Sequence, residues 1–316
     1  MAEKAIPTVD LSQFVQGNAA ERAQFVATLG KAFHEVGFVG VINHGISQAL
    51  IANFYAAAKR FFALEIDKKR SYEVSNLAGQ RGYTSFGKEH AKHSNVGDLK
   101  EFFQIGQFPD NAADRAIYPE NVTVAEERAF TDLGEELYKA FEGCGTHLLR
   151  ATALHLDLGE AFFDAKIKNG NSILRAIHYP PIAHEPASAI RAEQHEDINL
   201  ITLLVGASAG GLELLTMENE WVAVNAQEGE LVINVGDMLQ RLTNNYLKST
   251  THRVVNPPRA EWHLPRLSIP FFLHPRSEMD LTCLDKCVDA QNPVAYEPIT
   301  AGDYLDERLR EIGLKK

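Results

Sequence analysis

The feature that most constrains the fold of this chain is a change of pattern near Asn171. Before it, apolar residues recur at helical spacing in long segments, and after it they form short runs bounded by Gly, Pro and Asn. Many short strands at regular spacing predict an antiparallel sandwich or barrel, with helices laid against it. We therefore predict an α+β fold in which a helical N-terminal half packs on a C-terminal jelly-roll core.

Three segments carry the pattern of long helices. The first is predicted over 20–36, where Gly37 ends it. Ser47 is a good N-cap for the second helix, which runs to about Leu64. The third helix covers 124–158.

The predicted strands are short and apolar, and turn residues bound them. They cover 38–43, 173–179, 200–205, 212–216, 221–225, 231–235, 251–255 and 268–274. We expect four parts, namely an N-terminal region over 1–120, a long connecting helix over 121–170, the strand core over 171–280 and a C-terminal segment over 281–316. A helix predicted over 301–312 is in a position to cover the mouth of an active site.

Charge and cysteine content restrict the partners and the compartment. The formal net charge of −11 argues against nucleic acid or an anionic membrane as the main partner, because those interfaces reward clustered Lys and Arg. Three Cys without CxxC spacing fit a reducing compartment. No apolar run reaches the roughly 18 residues of a membrane helix, and the N-terminal residues lack a signal-peptide pattern. We expect a cytoplasmic protein that acts on a small molecule, and its oligomeric state stays open.

Two histidines and one aspartate have the pattern of a metal site. His195 and Asp197 are two residues apart in a segment with a strand pattern, where such residues point to the same face. His252 lies in a later strand-like segment, far enough along for intervening strands to return the chain to the same place. Two imidazoles and one carboxylate on one face of an octahedral metal leave other positions open, which suits Fe(II) and O2 activation.

A second His-x-Asp pair, His155 and Asp157, lies in a segment with a helical pattern. Residues two apart on a helix do not face each other, so we expect His155 to be structural. His90 and His93 lie at near-helical spacing, but they lack the glutamate base and the third ligand of a convincing zinc site.

Arg266 and Ser268 share one face of a predicted strand that follows His252 after a turn-rich connection. A guanidinium fork plus a hydroxyl is suited to holding a carboxylate. The alternative is a surface ion pair, and the position of Arg266 after His252 argues against it.

Ten short segments carry a family pattern in one order. They are IPTVDL (6–11), GFVGVINHGI (37–46), RGYTSFGKE (81–89), DLKEFFQIG (98–106), HYPP (178–181), QHEDINLITLL (194–204), GGLELL (210–215), NVGDMLQRLTNN (234–245), STTHRVVNPP (249–258) and RLSIPFF (266–272). Each is weak alone, and ten in order are specific. Over nearly its full length the chain resembles the isopenicillin N synthase-like branch of the 2-oxoglutarate/Fe(II)-dependent dioxygenases.

The resemblance implies a double-stranded β-helix core in which His195, Asp197 and His252 bind Fe(II). It also implies that Arg266 and Ser268 bind the distal carboxylate of 2-oxoglutarate. The implied activity is the oxidation of a small organic metabolite with 2-oxoglutarate and O2, by hydroxylation, desaturation or cyclisation, with release of succinate and CO2. Ascorbate is a further expected stimulant of such an enzyme.

By the same resemblance, Tyr179 adds a hydrogen bond to the 2-oxoglutarate carboxylate. Alternation along its strand places Arg175, Ile177 and Tyr179 on one face. Arg175 is therefore a candidate substrate contact, since a buried cation needs an anionic or polar partner, and pairing with a neighbouring acidic side chain is the equal alternative. Phe102 and Gln104 are further substrate candidates from their position in the matched segment DLKEFFQIG.

Two positions depart from the family pattern. Glu196 stands where a small residue such as Thr is more frequent, and on a strand its side chain points away from the metal. The connection from His252 to Arg266 is slightly longer than expected. Neither departure removes a functional group.

Two glycine-containing segments are predicted to be turns rather than functional motifs. The segment 43–45 is expected to turn after a strand, with Gly45 supplying backbone freedom and His44 a local hydrogen bond. Gly236 and Asp237 fit a tight turn between strands.

Three other functions stay open from the sequence. The nearest is a non-haem iron oxidase of the isopenicillin N synthase type, which uses no 2-oxoglutarate and binds the substrate's own carboxylate through the Arg-x-Ser pair. The second is a hydrolase with Zn(II) in the same site. The third is a non-catalytic metal- or ligand-binding protein that keeps the fold.

Overall fold

The computed structural model of the chain describes residues 6–75, 77, 79–89, 97–109, 111–186, 189–206 and 210–311. Its helices are α1 (Leu11–Val15), α2 (Ala19–Glu35), α3 (Gln48–Phe62), α4 (Ile66–Arg70), α5 (Ala112–Arg115), α6 (Arg128–His155), α7 (Asp164–Ile167), α8 (Asp237–Leu242) and α9 (Ala301–Glu311). Its strands are β1 (Thr8–Asp10), β2 (Phe38–Ile42), β3 (Gly82–Thr84), β4 (Glu101–Gly106), β5 (Ile173–Tyr179), β6 (Ala192–His195), β7 (Ile201–Val205), β8 (Leu212–Leu215), β9 (Trp221–Ala223), β10 (Leu231–Val235), β11 (His252–Val254) and β12 (Arg266–Leu273). The α+β fold is confirmed.

The strands form two sheets with interleaved chain order. The larger sheet has the order β1-β2-β10-β7-β12-β5-β4-β3, and the smaller has the order β6-β11-β8-β9. The strand pairs described are antiparallel, apart from the parallel pair of β1 and β2. After β5 the chain crosses repeatedly between the two sheets, with only the hairpin of β8 and β9 staying in one of them, and these crossings build the jelly roll.

Two apolar cores separate the layers. The larger core lies between the helices and the outer face of the larger sheet, and it includes Phe54 of α3, Leu148 of α6 and Leu203 of β7. The smaller core lies between the two sheets and joins Ile177 of β5 to Val254 of β11. Burial of each large apolar side chain contributes about 1.5–3 kcal/mol, so both cores hold the sheets in position.

Local signals fix the helix ends. The Asn18 side chain accepts from the backbone of Ala20 and Glu21, while the Glu21 side chain accepts from the Asn18 backbone. Ser47 caps α3 by accepting from Leu50 at 3.3 Å, as predicted. Gly37 follows α2 at φ 75°, which glycine adopts without steric cost.

The predicted turn after β2 is present. Asn43 and Gly45 have φ angles of 50° and 80°, respectively. His44 Nδ1 accepts a hydrogen bond from the Ile46 backbone at 3.1 Å. These residues therefore have a structural role in ending the strand.

Two local predictions were wrong. Gly236 and Asp237 do not turn between strands, because Gly236 precedes α8 and Asp237 is the first residue of that helix. The Asp237 backbone donates to Asp197 O at 2.7 Å, which connects the start of α8 to the segment between β6 and β7. Asp197 itself is not on a strand, since β6 ends at His195 and Asp197 lies in the connection to β7.

The division of the chain into four parts at residues 120, 170 and 280 stays a prediction. Among the described helices, none combines the length and the apolar character needed to cross a bilayer.

Candidate metal centre and substrate cavity

A cavity of about 690 Å³ lies between the two sheets. Side chains of β4, β5, β7 and β12 line it from the larger sheet, and side chains of β6 and β11 line it from the smaller. Helix α9 adds Leu305, Arg308 and Leu309 to the wall, so the C-terminal helix does reach the cavity.

His195, Asp197 and His252 converge in this cavity. Within the described residues they are the one group of three metal-ligating side chains whose ligand atoms all lie within 4.8 Å of one another. His195 Nε2 is 3.9 Å from Asp197 Oδ1, and His252 Nε2 is 3.9 Å from Asp197 Oδ2. The backbone accounts for this approach, because His195 and His252 are direct partners across β6 and β11.

The backbone also fixes the orientation of both imidazole rings. His195 Nδ1 lies 2.6 Å from the carbonyl oxygen of Glu193, and His252 Nδ1 lies 3.1 Å from that of Thr250. Because a carbonyl oxygen only accepts, Nδ1 carries the proton in the neutral form of each ring and Nε2 is the atom available to a metal. Burial, with a further effect of His252, lowers the pKa of His195 to about 4, so this ring is neutral and fit to bind a metal.

Asp197 is held by two side-chain donors. Thr202 Oγ1 donates to Asp197 Oδ2 at 2.6 Å, and Asn234 Nδ2 donates to the same oxygen at 2.8 Å. Burial raises the pKa of Asp197, but the two imidazoles and these hydrogen bonds together bring it below its ordinary value. The carboxylate is therefore ionised and oriented, with two imidazole Nε2 atoms beside it, a set that fits a divalent transition metal.

The other histidines singled out in the sequence do not join this group. His155 is the last residue of α6, and its Nε2 lies 3.3 Å from the Tyr246 hydroxyl, which is a structural contact as expected. His90 and His93 lie outside the described residues. Glu196 is exposed, and it accepts a hydrogen bond from Thr251 at 2.8 Å.

Arg266, Ser268 and Tyr179 lie together in the cavity wall. Arg266 is the direct partner of Tyr179 across β12 and β5, and its guanidinium carbon is 5.0 Å from the centre of the tyrosine ring. With 2 % of its surface exposed, Arg266 is not part of a surface ion pair. A buried guanidinium beside two hydroxyls fits a carboxylate ligand.

Arg175 also faces the cavity, but the protein supplies a partner for its charge. Its Nη1 lies 3.2 Å from both carboxylate oxygens of Glu89, and its Nε donates to Gln104 Oε1 at 3.1 Å. The guanidinium carbon lies 4.2 Å from the ring centre of Phe102 and 5.2 Å from that of Phe272. Of the two alternatives left open by the sequence, pairing with an acidic side chain is the one present in the structure.

Sequence reasoning did not identify the remaining charged residues of this wall. Lys100 Nζ lies 2.7 Å from Glu89 Oε1 and 2.7 Å from Asp98 Oδ2. Burial raises the pKa of Glu89, but Arg175 and Lys100 together lower it to about 2. Glu89 and Asp98 belong to matched segments, which was the only available signal, because neither lies on a strand whose alternation would place it.

Comparison with known families and proteins agrees with this geometry. Residues 6–126 match the family described as the N-terminal region of non-haem dioxygenases in morphine synthesis, and residues 170–275 match the 2OG-Fe(II) oxygenase superfamily. The 2-oxoglutarate-Fe(II) type oxidoreductase hxnY of Emericella nidulans is 30% identical over 96% of this chain and 89% of its own length. The chain belongs to the 2-oxoglutarate/Fe(II) oxygenase superfamily.

Solved structures of this superfamily share the fold. A Caulobacter crescentus protein assigned to the 2OG-Fe(II) oxygenase family is 43% identical, with a TM-score of 0.88 over 98% of this chain and 100% of that one. A full-length Neurospora crassa protein in complex with alpha-KG (2-oxoglutarate) is 28% identical, with a TM-score of 0.85 over 98% of this chain and 97% of that one. The resemblance found in the sequence is confirmed. This oxygenase uses Fe(II), 2-oxoglutarate and O2 to oxidise a small molecule, with release of succinate and CO2.

Proposed function

We propose that His195, Asp197 and His252 bind the Fe(II) of this oxygenase. The observation that carries the proposal is the convergence of two Nε2 lone pairs, each fixed by a backbone carbonyl, beside one buried carboxylate. Because Asp197 Oδ2 already accepts from Thr202 and Asn234, Oδ1 is left for the metal. Two imidazoles and one carboxylate leave the remaining coordination positions to 2-oxoglutarate and O2.

Arg266, Ser268 and Tyr179 bind the distal carboxylate of 2-oxoglutarate in this proposal. Their burial supports the assignment, since hydrogen bonds to a carboxylate are strongest where water is excluded. The position of Arg266 on β12 supports it as well, because that strand belongs to the sheet opposite the two histidines. The co-substrate would therefore span the space between the sheets.

Iron, 2-oxoglutarate and O2 together supply the oxidising power that removes hydrogen from a substrate C–H bond. The part played by this chain is positional. Phe272 excludes water from the substrate side, and Arg175 and Gln104 direct polar groups towards it. Phe102 does not line the cavity itself but packs against the guanidinium of Arg175 at 4.2 Å. Hydroxylation is the default outcome, and desaturation or cyclisation requires only a different placement of the substrate.

The related Neurospora crassa protein suggests the size of the substrate. Two structures of that protein, with 27% sequence identity to this chain, contain thymine or 5-formyluracil. We propose a substrate of similar size that contacts Arg175, Phe102 and Gln104. Arg175→Ala should then raise KM for that substrate while leaving iron binding unchanged.

Binding measurements test the ligand assignment before the substrate is known. Fe(II) and then 2-oxoglutarate are titrated anaerobically into the wild-type protein, His252→Ala and Arg266→Ala by calorimetry. We expect His252→Ala to weaken Fe(II) binding by more than about 100-fold, because loss of outer-shell partners alone costs about 10–100-fold. Arg266→Ala should keep Fe(II) binding and lose 2-oxoglutarate binding. His155→Asn, which changes the unused His-x-Asp pair, is the matched control and should bind both as the wild type does.

Turnover measurements then test the use of 2-oxoglutarate. O2 consumption and succinate are measured with and without 2-oxoglutarate across a panel of small metabolites. Succinate that depends on Fe(II), His252 and Arg266 supports the assignment. Iron-dependent O2 consumption that needs no 2-oxoglutarate would instead assign Arg266 and Ser268 to a carboxylate of the substrate.

A further inference from the structure

Four charged side chains of the cavity wall form one continuous ion-pair network, which we call the balanced wall: Glu89, Asp98, Lys100 and Arg175. The contacts alternate in sign, from Arg175 to Glu89 at 3.2 Å, to Lys100 at 2.7 Å and to Asp98 at 2.7 Å. The exposed fractions of these side chains lie between 5% and 16%. The network is therefore shielded from water and carries two positive and two negative charges.

Such a network resists the approach of a further charge. Buried ions are stable only when each is paired, and an extra ion beside them either goes unpaired or takes a partner from its neighbour. An anionic substrate at Arg175 would compete with Glu89, and a cationic one at Glu89 would compete with Arg175. Either ligand leaves the wall with one uncompensated charge, because its own side chains already balance as two positive and two negative.

The wall nevertheless offers one hydrogen-bond donor to a ligand. Arg175 uses Nη1 for Glu89 and Nε for Gln104. Among the described residues, Nη2 of Arg175 has no acceptor, although this guanidinium faces the cavity. Apolar surface from Ile173 and Phe272 lies on the same side of the cavity. The site thus combines one directed donor with apolar contact.

We propose that the balanced wall selects an uncharged polar substrate, which accepts a hydrogen bond from Arg175 Nη2 and packs on Phe272. This inference rests on the proposed function, because it assumes that the metal and 2-oxoglutarate occupy the other part of the cavity. It adds a rule about substrate charge that family membership does not supply.

Four further charged groups that line the cavity do not offset this balance. Arg308 and Glu311 of α9 pair with each other at 2.5 Å. Glu193 is half-buried and Glu196 is exposed, so solvent screens both carboxylates. The remaining negative charge of these two carboxylates disfavours an anionic substrate further.

Probes of similar skeleton and different charge test the rule. Phenylacetamide, phenylacetate and phenethylamine, together with thymine and its 6-carboxylate, are titrated anaerobically by calorimetry into the protein loaded with Fe(II) and 2-oxoglutarate. We expect each uncharged probe to bind at least about tenfold more tightly than its charged counterparts, because uncompensated charge at a buried site costs more than about 1.4 kcal/mol. Tighter binding of the charged probes overturns the proposal, and so does the absence of binding in every class.

Charge variants of the wall provide the second measurement. Glu89→Gln leaves one net positive charge, so phenylacetate should bind at least about tenfold more tightly than to the wild type. Adding Lys100→Met restores neutrality and should restore the preference for the amide. Glu73→Gln is the matched control, because Glu73 also forms an ion pair, with Lys88 at 2.6 Å, but does not line the cavity. Unchanged phenylacetate binding by Glu89→Gln contradicts the proposal.

Two safeguards keep the outcomes distinct. Asp98→Asn removes the same charge and replaces Glu89→Gln if that variant does not fold. Calorimetry of Fe(II) and 2-oxoglutarate without any probe is run first on every variant. Loss of that binding in the wild type refutes the proposed function, whereas intact binding with the wrong charge preference refutes only the balanced wall.

Discussion

Thr202 orients the proposed metal ligand Asp197 through a hydrogen bond. Its Oγ1 donates to Asp197 Oδ2 at 2.6 Å, and Thr202 is buried, with 3% of its surface exposed. Thr202→Val replaces the hydroxyl by a methyl group of nearly the same size, so the core keeps its packing. The carboxylate retains the bond from Asn234 and loses the other. The substitution also removes the acceptor of a 3.0 Å hydrogen bond from Asn199 Nδ2, which keeps its bond to Ile201 O at 3.1 Å.

The magnitude follows from the type of bond that is lost. A hydrogen bond to a charged group contributes about 1.5–3 kcal/mol. If that energy orients Asp197 towards Fe(II), the dissociation constant of the metal rises by about 10- to 150-fold, since each 1.4 kcal/mol is a factor of ten. Measured losses for outer-shell partners of metal ligands fall in the same range, about 10–100-fold.

Anaerobic calorimetric titration with Fe(II) measures this change directly. Thr152→Val is the control, because Thr152 is also buried and its hydroxyl donates to Leu148 O at 2.9 Å within α6, away from the metal. We expect wild-type Fe(II) affinity in the control. A Thr202→Val affinity within twofold of the wild type would refute the reasoning, and equal weakening in both variants would attribute the effect to general destabilisation.

Three further predictions concern stability and reactivity. Gly143→Ala in α6 should stabilise the fold by about 0.5–1 kcal/mol, because the new methyl group meets open space, whereas Gly145→Ala should destabilise it by about 1–3 kcal/mol through overlap with Leu273, as measured by urea unfolding. The pKa of Glu89 is lowered from 4.5 to about 2, so its contribution to stability is complete above pH 4.5 and is lost as the pH falls towards 2. The stability difference between the wild type and Glu89→Gln should shrink over that window, and a constant difference would contradict the pairing. Burial raises the pKa of Cys144 to about 12, so this thiol should react with iodoacetamide only after unfolding, as mass spectrometry of the labelled peptide would detect.

The sequence predicts elements whose signals are local. Ser47 marks the start of α3, and Gly37 marks the end of α2, because cap residues act within a few positions of themselves. Alternation along β5 correctly places Arg175 and Tyr179 on the cavity side. The order of the strands in the sheets could not be predicted in this way. β2 pairs with β10, far along the chain, and that pairing depends on tertiary packing that no short segment encodes.

The same difference between local and tertiary signals explains which site residues were predicted from the sequence. His195, Asp197 and His252 have a recognisable spacing, and the structure brings them together. The geometric reason given for Asp197 was wrong, since it lies in a connection rather than on a strand. Glu89 was missed altogether, because its role depends on which side chains surround it in space and not on its neighbours in the chain.

The metal group and the organic ligands belong to different sheets. His195 and His252 lie on paired strands of the smaller sheet, whereas Arg175 and Arg266 lie on β5 and β12 of the larger one. The distance between the residues that would hold the iron and those that would contact the substrate therefore depends on the spacing of two independently hydrogen-bonded layers, about 10 Å between the backbones of stacked sheets.

The side chains between the two sheets determine how far apart the sheets lie. Phe38 extends from the larger sheet, and its ring meets that of His252 edge-on at 5.6 Å. Phe38 also lines the cavity, so a smaller residue at position 38 would enlarge the space beside His252 without removing a proposed ligand of iron or 2-oxoglutarate. Which carbon is oxidised would then change while the reaction itself stayed the same. We therefore expect the position of oxidation to respond to substitutions between the sheets as well as to changes of polar groups.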